Sequence, residues 1–234
     1  MLIYRGPSQI DQSPILALLT GIDRQCKNVK TGPMAQLWIV PELLSPLQAI
    51  ATGADFAVCG WCRHRHANAN TCYVVVAQGP QSAWKKWKRG GHLKVSPKHA
   101  NAILRRKALA VRLGAWGDPA ALPYAVLAQL TDGVTHTGYT HQAPAGPGYR
   151  DLLMASVDTP AEQARAVADG WRTFRVRLPG EPLMPGEITC PASAEAGHRT
   201  TCERCALCSG NSLPARNVVI QIHGNALRVL RITK

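Results

Sequence analysis

Leu109-Ala110-Val111-Arg112-Leu113, then Gly114 to Asp118, then Pro119 to Leu130, then Thr137-Gly138-Tyr139-Thr140, read in succession as strand, loop, helix and strand. The first segment is a short apolar run closed by glycine, which suits a strand covered on both faces, and Pro119 stands where the first turn of a helix tolerates proline. The pattern then repeats. After a Pro- and Gly-rich loop, Leu152-Leu153-Met154-Ala155-Ser156 reads as a strand, Thr159-Pro160 opens a helix whose capping box is completed by Glu162, Gly170 ends it, and Thr173-Phe174-Arg175-Val176-Arg177 follows as a strand. Alternation of this kind implies right-handed crossovers and a parallel sheet. The expected fold class is therefore α/β, with (βα) repeats forming a partial or small barrel-like parallel sheet and with cysteine-rich metal-binding loops.

In such folds the loops after strands carry the chemistry. Here they hold Trp116 and Asp118, then Tyr139, Thr140 and His141, then Ser156 and Asp158, then Arg175 and Arg177, all expected at one rim. Asp118, Tyr139, His141, Ser156 and Asp158 are the candidate catalytic group. Asp118 and Asp158 also stand where helix caps are wanted, and capping is the favoured reading of both.

Working outward, residues 1–55 read as an irregular entry region with turn signals at Gly6-Pro7, Gly32-Pro33 and Ser45-Pro46 around one strand, Leu37-Trp38-Ile39-Val40. Residues 56–178 form the βα core and include a strand over Tyr73 to Ala77 and helices from Pro80 to about Arg89 and from Pro97 to Lys107. Residues 179–234 carry a second cysteine group and a β-hairpin from Val218 to Ile232. The whole is expected to be one domain of 234 residues, 46% hydrophobic and large enough to bury its own core.

Seven of the eight cysteines fall into two groups, Cys59, Cys62 and Cys72, and Cys190, Cys202, Cys205 and Cys208. Thiolates at such spacings select zinc or iron–sulfur clusters. Disulfides are the rival reading, but the N-terminal residues show no basic region followed by an apolar core, so nothing directs the chain to an oxidising compartment. No apolar run approaches a bilayer span, and a soluble, cytoplasmic protein is expected. Cys26 stands apart and reads as a structural thiol.

The net charge of +13 is uneven. No acidic residue occurs between Asp55 and Asp118, a stretch that holds twelve Lys and Arg residues. Its centre interleaves Trp84 and Trp87 with Lys85, Lys86, Lys88 and Arg89, as a phosphate backbone with stackable bases requires. A solvated helix face with inward-packed indoles is the competing reading. Nucleic acid or another polyanion is marginally favoured as partner.

The motifs Cys59-Gly60-Trp61-Cys62, Thr71-Cys72-Tyr73, Gly117-Asp118-Pro119-Ala120, Gly138-Tyr139-Thr140-His141, Ala155-Ser156-Val157-Asp158, Gly170-Trp171-Arg172-Thr173-Phe174-Arg175 and Cys190-Pro191-Ala192 to Cys208 span most of the chain. They resemble an uncharacterised cysteine-rich protein family encoded by bacteriophages and plasmids, which implies a bacterial host and cysteine-bound metal but brings no activity. A more distant similarity is to radical S-adenosylmethionine enzymes, which use a (βα) partial barrel with a [4Fe-4S] cluster. Their Cys-x3-Cys-x2-Cys loop is absent, so cysteine ligation is carried over and binding of S-adenosylmethionine is not.

Cys202-x2-Cys205-x2-Cys208 matches the start of a ferredoxin-like pattern, and Cys190-Pro191 matches the distant fourth ligand, so one or two [4Fe-4S] clusters are favoured over zinc. The first group supplies only three thiols. It offers an open coordination position, or is completed by His64 or His66, or pools with the second. Each lone histidine is otherwise more often a surface or hydrogen-bonded residue, His141 having the best case for a role. The polar loop Asn28, Lys30, Thr31 and Gly32 lacks a full phosphate-loop pattern. Two functions follow: an iron–sulfur enzyme acting on a nucleotide or nucleic acid, or a metal-stabilised nucleic-acid-binding accessory protein without catalysis.

Overall fold

The computed structural model describes residues 1–24, 26, 28–142, 146, 148–212 and 214–222. The second arm of the expected C-terminal hairpin lies outside them. Strands β1 (Leu2–Pro7), β2 (Pro14–Thr20) and β3 (Ala35–Pro41) form an antiparallel meander, and β4 (Val111–Trp116) and β5 (His136–Thr137) extend it in parallel from β3. A second sheet contains β6 (Tyr139–Thr140), β7 (Met154–Val157), β8 (Thr173–Arg177), β9 (Glu187–Thr189) and β10 (Asn217–Gln221) in the order β6-β7-β8-β10-β9, all parallel. The fold is thus mixed α/β. The two five-stranded sheets are not closed into a barrel.

The sheets meet at one residue. Gly138 separates β5 from β6, and its carbonyl accepts from Met154 N at 3.1 Å while its amide donates to Cys208 O at 2.9 Å. A Cβ at Gly138 would lie 2.6 Å from Leu153 Cδ2 and 3.0 Å from Leu113 Cβ, so only glycine lets the chain pass between these two core leucines.

Helices α1 (Pro46–Thr52), α2 (Phe56–Cys59), α3 (Gly79–Lys88) and α4 (Pro97–Arg106) lie between β3 and β4, and α5 (Tyr124–Thr131), α6 (Tyr149–Leu152), α7 (Pro160–Ala168) and α8 (Cys202–Cys205) follow. The capping box at α7 forms, with Thr159 Oγ1 accepting from Glu162 N and Glu162 Oε2 accepting from Thr159 N. Among the described residues no helix is long and apolar enough to cross a membrane.

Five expectations are corrected. The entry region is not irregular, because Ile15 to Leu19 form a wholly buried strand that alternation cannot reveal when both faces are covered. Tyr73 to Ala77 is not a strand: the segment pairs with no strand of either sheet, and Val76 packs into the core while Tyr73 lines the cavity. The helix from Pro119 is broken into a 3-10 turn at Pro119–Ala121 and α5, since Pro123 cannot continue the first. The strand over Thr137 to Thr140 is divided at Gly138 between two sheets. Finally, β10, the described arm of the expected hairpin, lies between β8 and β9 and pairs with both in parallel.

Arg175 and Arg177 do not reach the expected rim. Arg175, 1% exposed, faces the other side of β8 and makes a two-pronged ion pair with Glu187, Nε to Oε1 at 2.8 Å and Nη2 to Oε2 at 2.9 Å. Arg177 pairs with Glu195. Burial raises the Glu187 carboxyl, but the hydrogen bonds from Arg175 and Met184 N and the charge of Arg175 outweigh it and hold Glu187 below its ordinary value. Arg175→Met is expected to cost about 3–5 kcal/mol in chemical denaturation, because it leaves Glu187 charged and alone. In the native chain this contribution is complete above the unfolded carboxyl value of about 4.3 and fades as the pH falls through the lower folded value, so the gap between the two proteins should narrow in acid.

Candidate functional site

Alternate residues of a strand share a face, and on these sheets one face lines a cavity of about 290 Å³. Arg112, Gly114 and Trp116 come from β4, Tyr139 from β6, Ser156 from β7, Phe174 and Val176 from β8, and Ile220 from β10. The segment from Cys59 to Val74 lies across the opening and contributes Cys59, Cys62, His64, His66, Cys72 and Tyr73.

That segment is pinned by Arg65. Its guanidinium donates to both oxygens of buried Asp55, at 3.1 and 2.7 Å, and to the carbonyls of Gly53 and Gly60. Asp118 fixes the opposite wall, accepting from Ala120 N at 2.9 Å, His141 N at 2.7 Å and Gln142 Nε2 at 3.3 Å. This carboxylate is spent on holding the end of β4 to the exit of β6, which is the capping reading of its sequence position.

Cys59, Cys62 and Cys72 line the same cavity, where charge on Cys62 or Cys72 raises the pKa of Cys59 and charge on Cys72 raises that of Cys62. Burial is the main cause in all three, and Cys62 is pushed up to about 12. His141 Nε2 lies 3.7 Å from Cys62 Sγ, and burial lowers the pKa of its ring. His64 stands between Thr71 Oγ1, 2.7 Å from Nδ1, and Asp158 Oδ1, 2.9 Å from Nε2. Burial opposes ionisation of Asp158, yet its hydrogen bond to His64 and the charges of His64, His141 and Arg63 hold it below the usual carboxylate range. One ligand atom each from His64, His141 and Asp158 lie within 4.8 Å of one another, a separation at which a metal ion can be held.

The second cysteine group lies in a smaller core, where Cys190 and Cys208 are buried among Met154, Phe174, Val218 and Ile220, with Cys202 packed against them. The thiols of Cys190, Cys202, Cys205 and Cys208 are close enough for charge on one to disfavour charge on others, and burial raises Cys208 most. Tyr139 hydrogen-bonds Cys208 and packs on Phe174, ring centres 4.3 Å apart. Its α8 turn is tied to the entry loop by Cys202 N donating to Lys30 O and Glu203 N to Thr31 O. All eight cysteines, including half-buried Cys26, are free thiols. Among the described residues the one trio of ligand atoms gathered within 4.8 Å of one another is that of His64, His141 and Asp158, and neither cysteine group brings three sulfurs so close together.

Structure thus brings Cys59, Cys62, Cys72, Tyr139, His141 and Ser156 to one cavity, with Asp158 behind His64. The basic segment lies elsewhere, on α3. Lys85, Lys86, Lys88 and Arg89 are exposed, whereas Trp84 and Trp87 are half-buried against the core with Lys88 Nζ 5.6 and 5.5 Å from their rings. His64 and Arg112 were not singled out for these contacts by sequence; the one available signal was that Arg112 interrupts an apolar strand. No protein-family model, curated protein or solved structure matches the chain.

Asp118→Ala should lower stability by about 1–3 kcal/mol, the usual cost of leaving buried N–H groups without an acceptor. It should also free the loop bearing His141, seen as faster amide exchange at His141 than in Asp118→Asn, which keeps an acceptor oxygen.

Proposed function

We propose that this chain is an iron–sulfur enzyme acting on a small ligand held in the cavity, with its working metal centre at Cys59, Cys62 and Cys72 and a second, structural centre at Cys190, Cys202, Cys205 and Cys208. The observation that supports this reading is that Cys59, Cys62, Cys72, His64 and His141 all line one cavity that also admits a ligand. A three-thiol set leaves a coordination position for a ligand, which a closed four-thiol set does not. When bound, an iron–sulfur centre supplies electron transfer or Lewis-acid contact to that ligand. The phage- and plasmid-type family and a bacterial cytoplasmic setting belong to the same proposal.

The chain's own groups have distinct tasks here. Asp158 and Thr71 together fix the orientation of His64 at the cavity wall. Arg65 and Asp118 hold the two sides of the opening in register. Ser156 and Tyr139 offer hydroxyls to a ligand lying on Phe174, Val176 and Ile220.

Anaerobic purification should give a brown protein containing iron and sulfide. Cys62→Ser is expected to lose the iron of one centre with little change in melting, and Cys205→Ser to lose the other centre and melt earlier, since a structural site contributes its binding energy to folding. Stoichiometric zinc without iron would replace the iron–sulfur reading with a zinc one.

A second reading, a nucleic-acid-binding protein stabilised by metal, is favoured by the exposed cations of α3 and α4, where Lys85, Lys86, Lys88, Arg89, Lys98, Arg105 and Arg106 make no ion pair with any described residue. It predicts binding to single-stranded nucleic acid that weakens with salt, the dependence flattening when Lys85, Lys86, Lys88 and Arg89 are replaced together. Replacing Trp84 should lower the melting temperature and leave that binding unchanged, because its indole packs inward.

A further inference from the structure

We infer that the cavity receives a small organic anion, its carboxylate or phosphate group held by the guanidinium of Arg112 and its body lying on the apolar wall of Phe174, Val176, Ile220 and Ile222. This rests on the cavity's being the ligand site proposed above and names the ligand's chemical class.

Arg112 lies within β4, between Gln36 of β3 and Thr137 of β5 in register, and its side chain lines the cavity. The hydrogen bond identified for it runs from Nη2 to the hydroxyl of Tyr73, whose ring centre is 5.9 Å from the guanidinium carbon. No carboxylate of a described residue lies within ion-pairing distance of it. Other enclosed arginines are matched: Arg65 by Asp55, Arg175 by Glu187, and Arg172 by the carbonyls of Gly210, Ala215 and Arg216. Arginine cannot shed its proton, and Arg112, half-buried at the cavity without a counter-ion among the described residues, presents a fork of donors that suits an anion arriving from outside. Half-buried Lys30 adds a second cation to the same lining. About 290 Å³ suits a small metabolite and is too little for a nucleic-acid strand.

The rival role for Arg112 is counter-charge to the second cysteine group, because Cys202 and Cys26 also feel its field. Titration of the metal-loaded protein with inorganic phosphate, and separately with acetate, followed by calorimetry and by the emission of Trp116, distinguishes them. Saturable binding is expected, stronger for whichever anion matches the ligand. Arg112→Gln should weaken it by about tenfold or more, and Arg112→Lys should weaken it less, with metal content the same in all three proteins. Val176→Trp, which fills the cavity from the opposite wall, should abolish binding without touching Arg112.

Absence of saturable binding to the native protein overturns the inference. So does equal affinity in Arg112→Gln, or in Val176→Trp, and so does loss of metal from Arg112→Gln with anion binding intact, which would assign the residue to the second cysteine group. Phosphate bound through Arg112 by a chain that holds no metal would uphold the anion site and remove the iron–sulfur proposal; metal without anion binding would do the reverse.

Discussion

A side chain at position 138 has nowhere to go. Leu113 from the first sheet and Leu153 from the start of the second close on Gly138 from either side, and the backbone there bonds to Met154 and Cys208. That single crossing decides how the sheets relate, which face of β6 looks into the cavity, and how near the second cysteine group stands to Tyr139. Everything said of the site presupposes that Thr137 and Tyr139 fall on the same face of a chain that changes sheets between them.

The parts of the fold that could be read from sequence were those whose local chemistry agrees with their final environment. The capping box at Thr159 and Glu162, the prolines that open α3 and α4 and the apolar runs of β7 and β8 each say locally what the structure does globally. Where tertiary context overrides propensity the reading fails. Pro14 to Thr20 is rich in leucine and alanine with no alternation, because both faces are covered, and nothing local marks it as a strand. Tyr73 to Ala77 has the opposite fault: its valines favour a strand, but tertiary packing sets Val76 into the core in an irregular segment.

The site divides the same way. Thiols announce themselves by type and spacing, and His141 and Asp158 were reachable because they follow strands. The partnership of His64 with Asp158 joins residues 94 apart in the chain, which no short-range pattern encodes. Arg112 was counted among twelve cations of one stretch although its surroundings differ from the rest: its companions on α3 and α4 are solvated, while it points into an enclosed space. A charge count sees the twelve as equal; burial separates Arg65, which Asp55 matches, and half-buried Arg112, which faces the cavity.

Strand β10 lies between β8 and β9, although it follows both in the chain. A ribosome delivers β8 and β9 first, and until residues 217–221 emerge the two have no partner in common and each presents an open edge, a template for pairing with other chains. The clamp that seats the late strand is already built into β8's approach: Arg172 donates to the carbonyls of Gly210, Ala215 and Arg216, drawing the incoming segment to its slot. Completion of the second sheet therefore waits for residues 217–221, and the sulfur-lined core that depends on Val218 and Ile220 is assembled only with them.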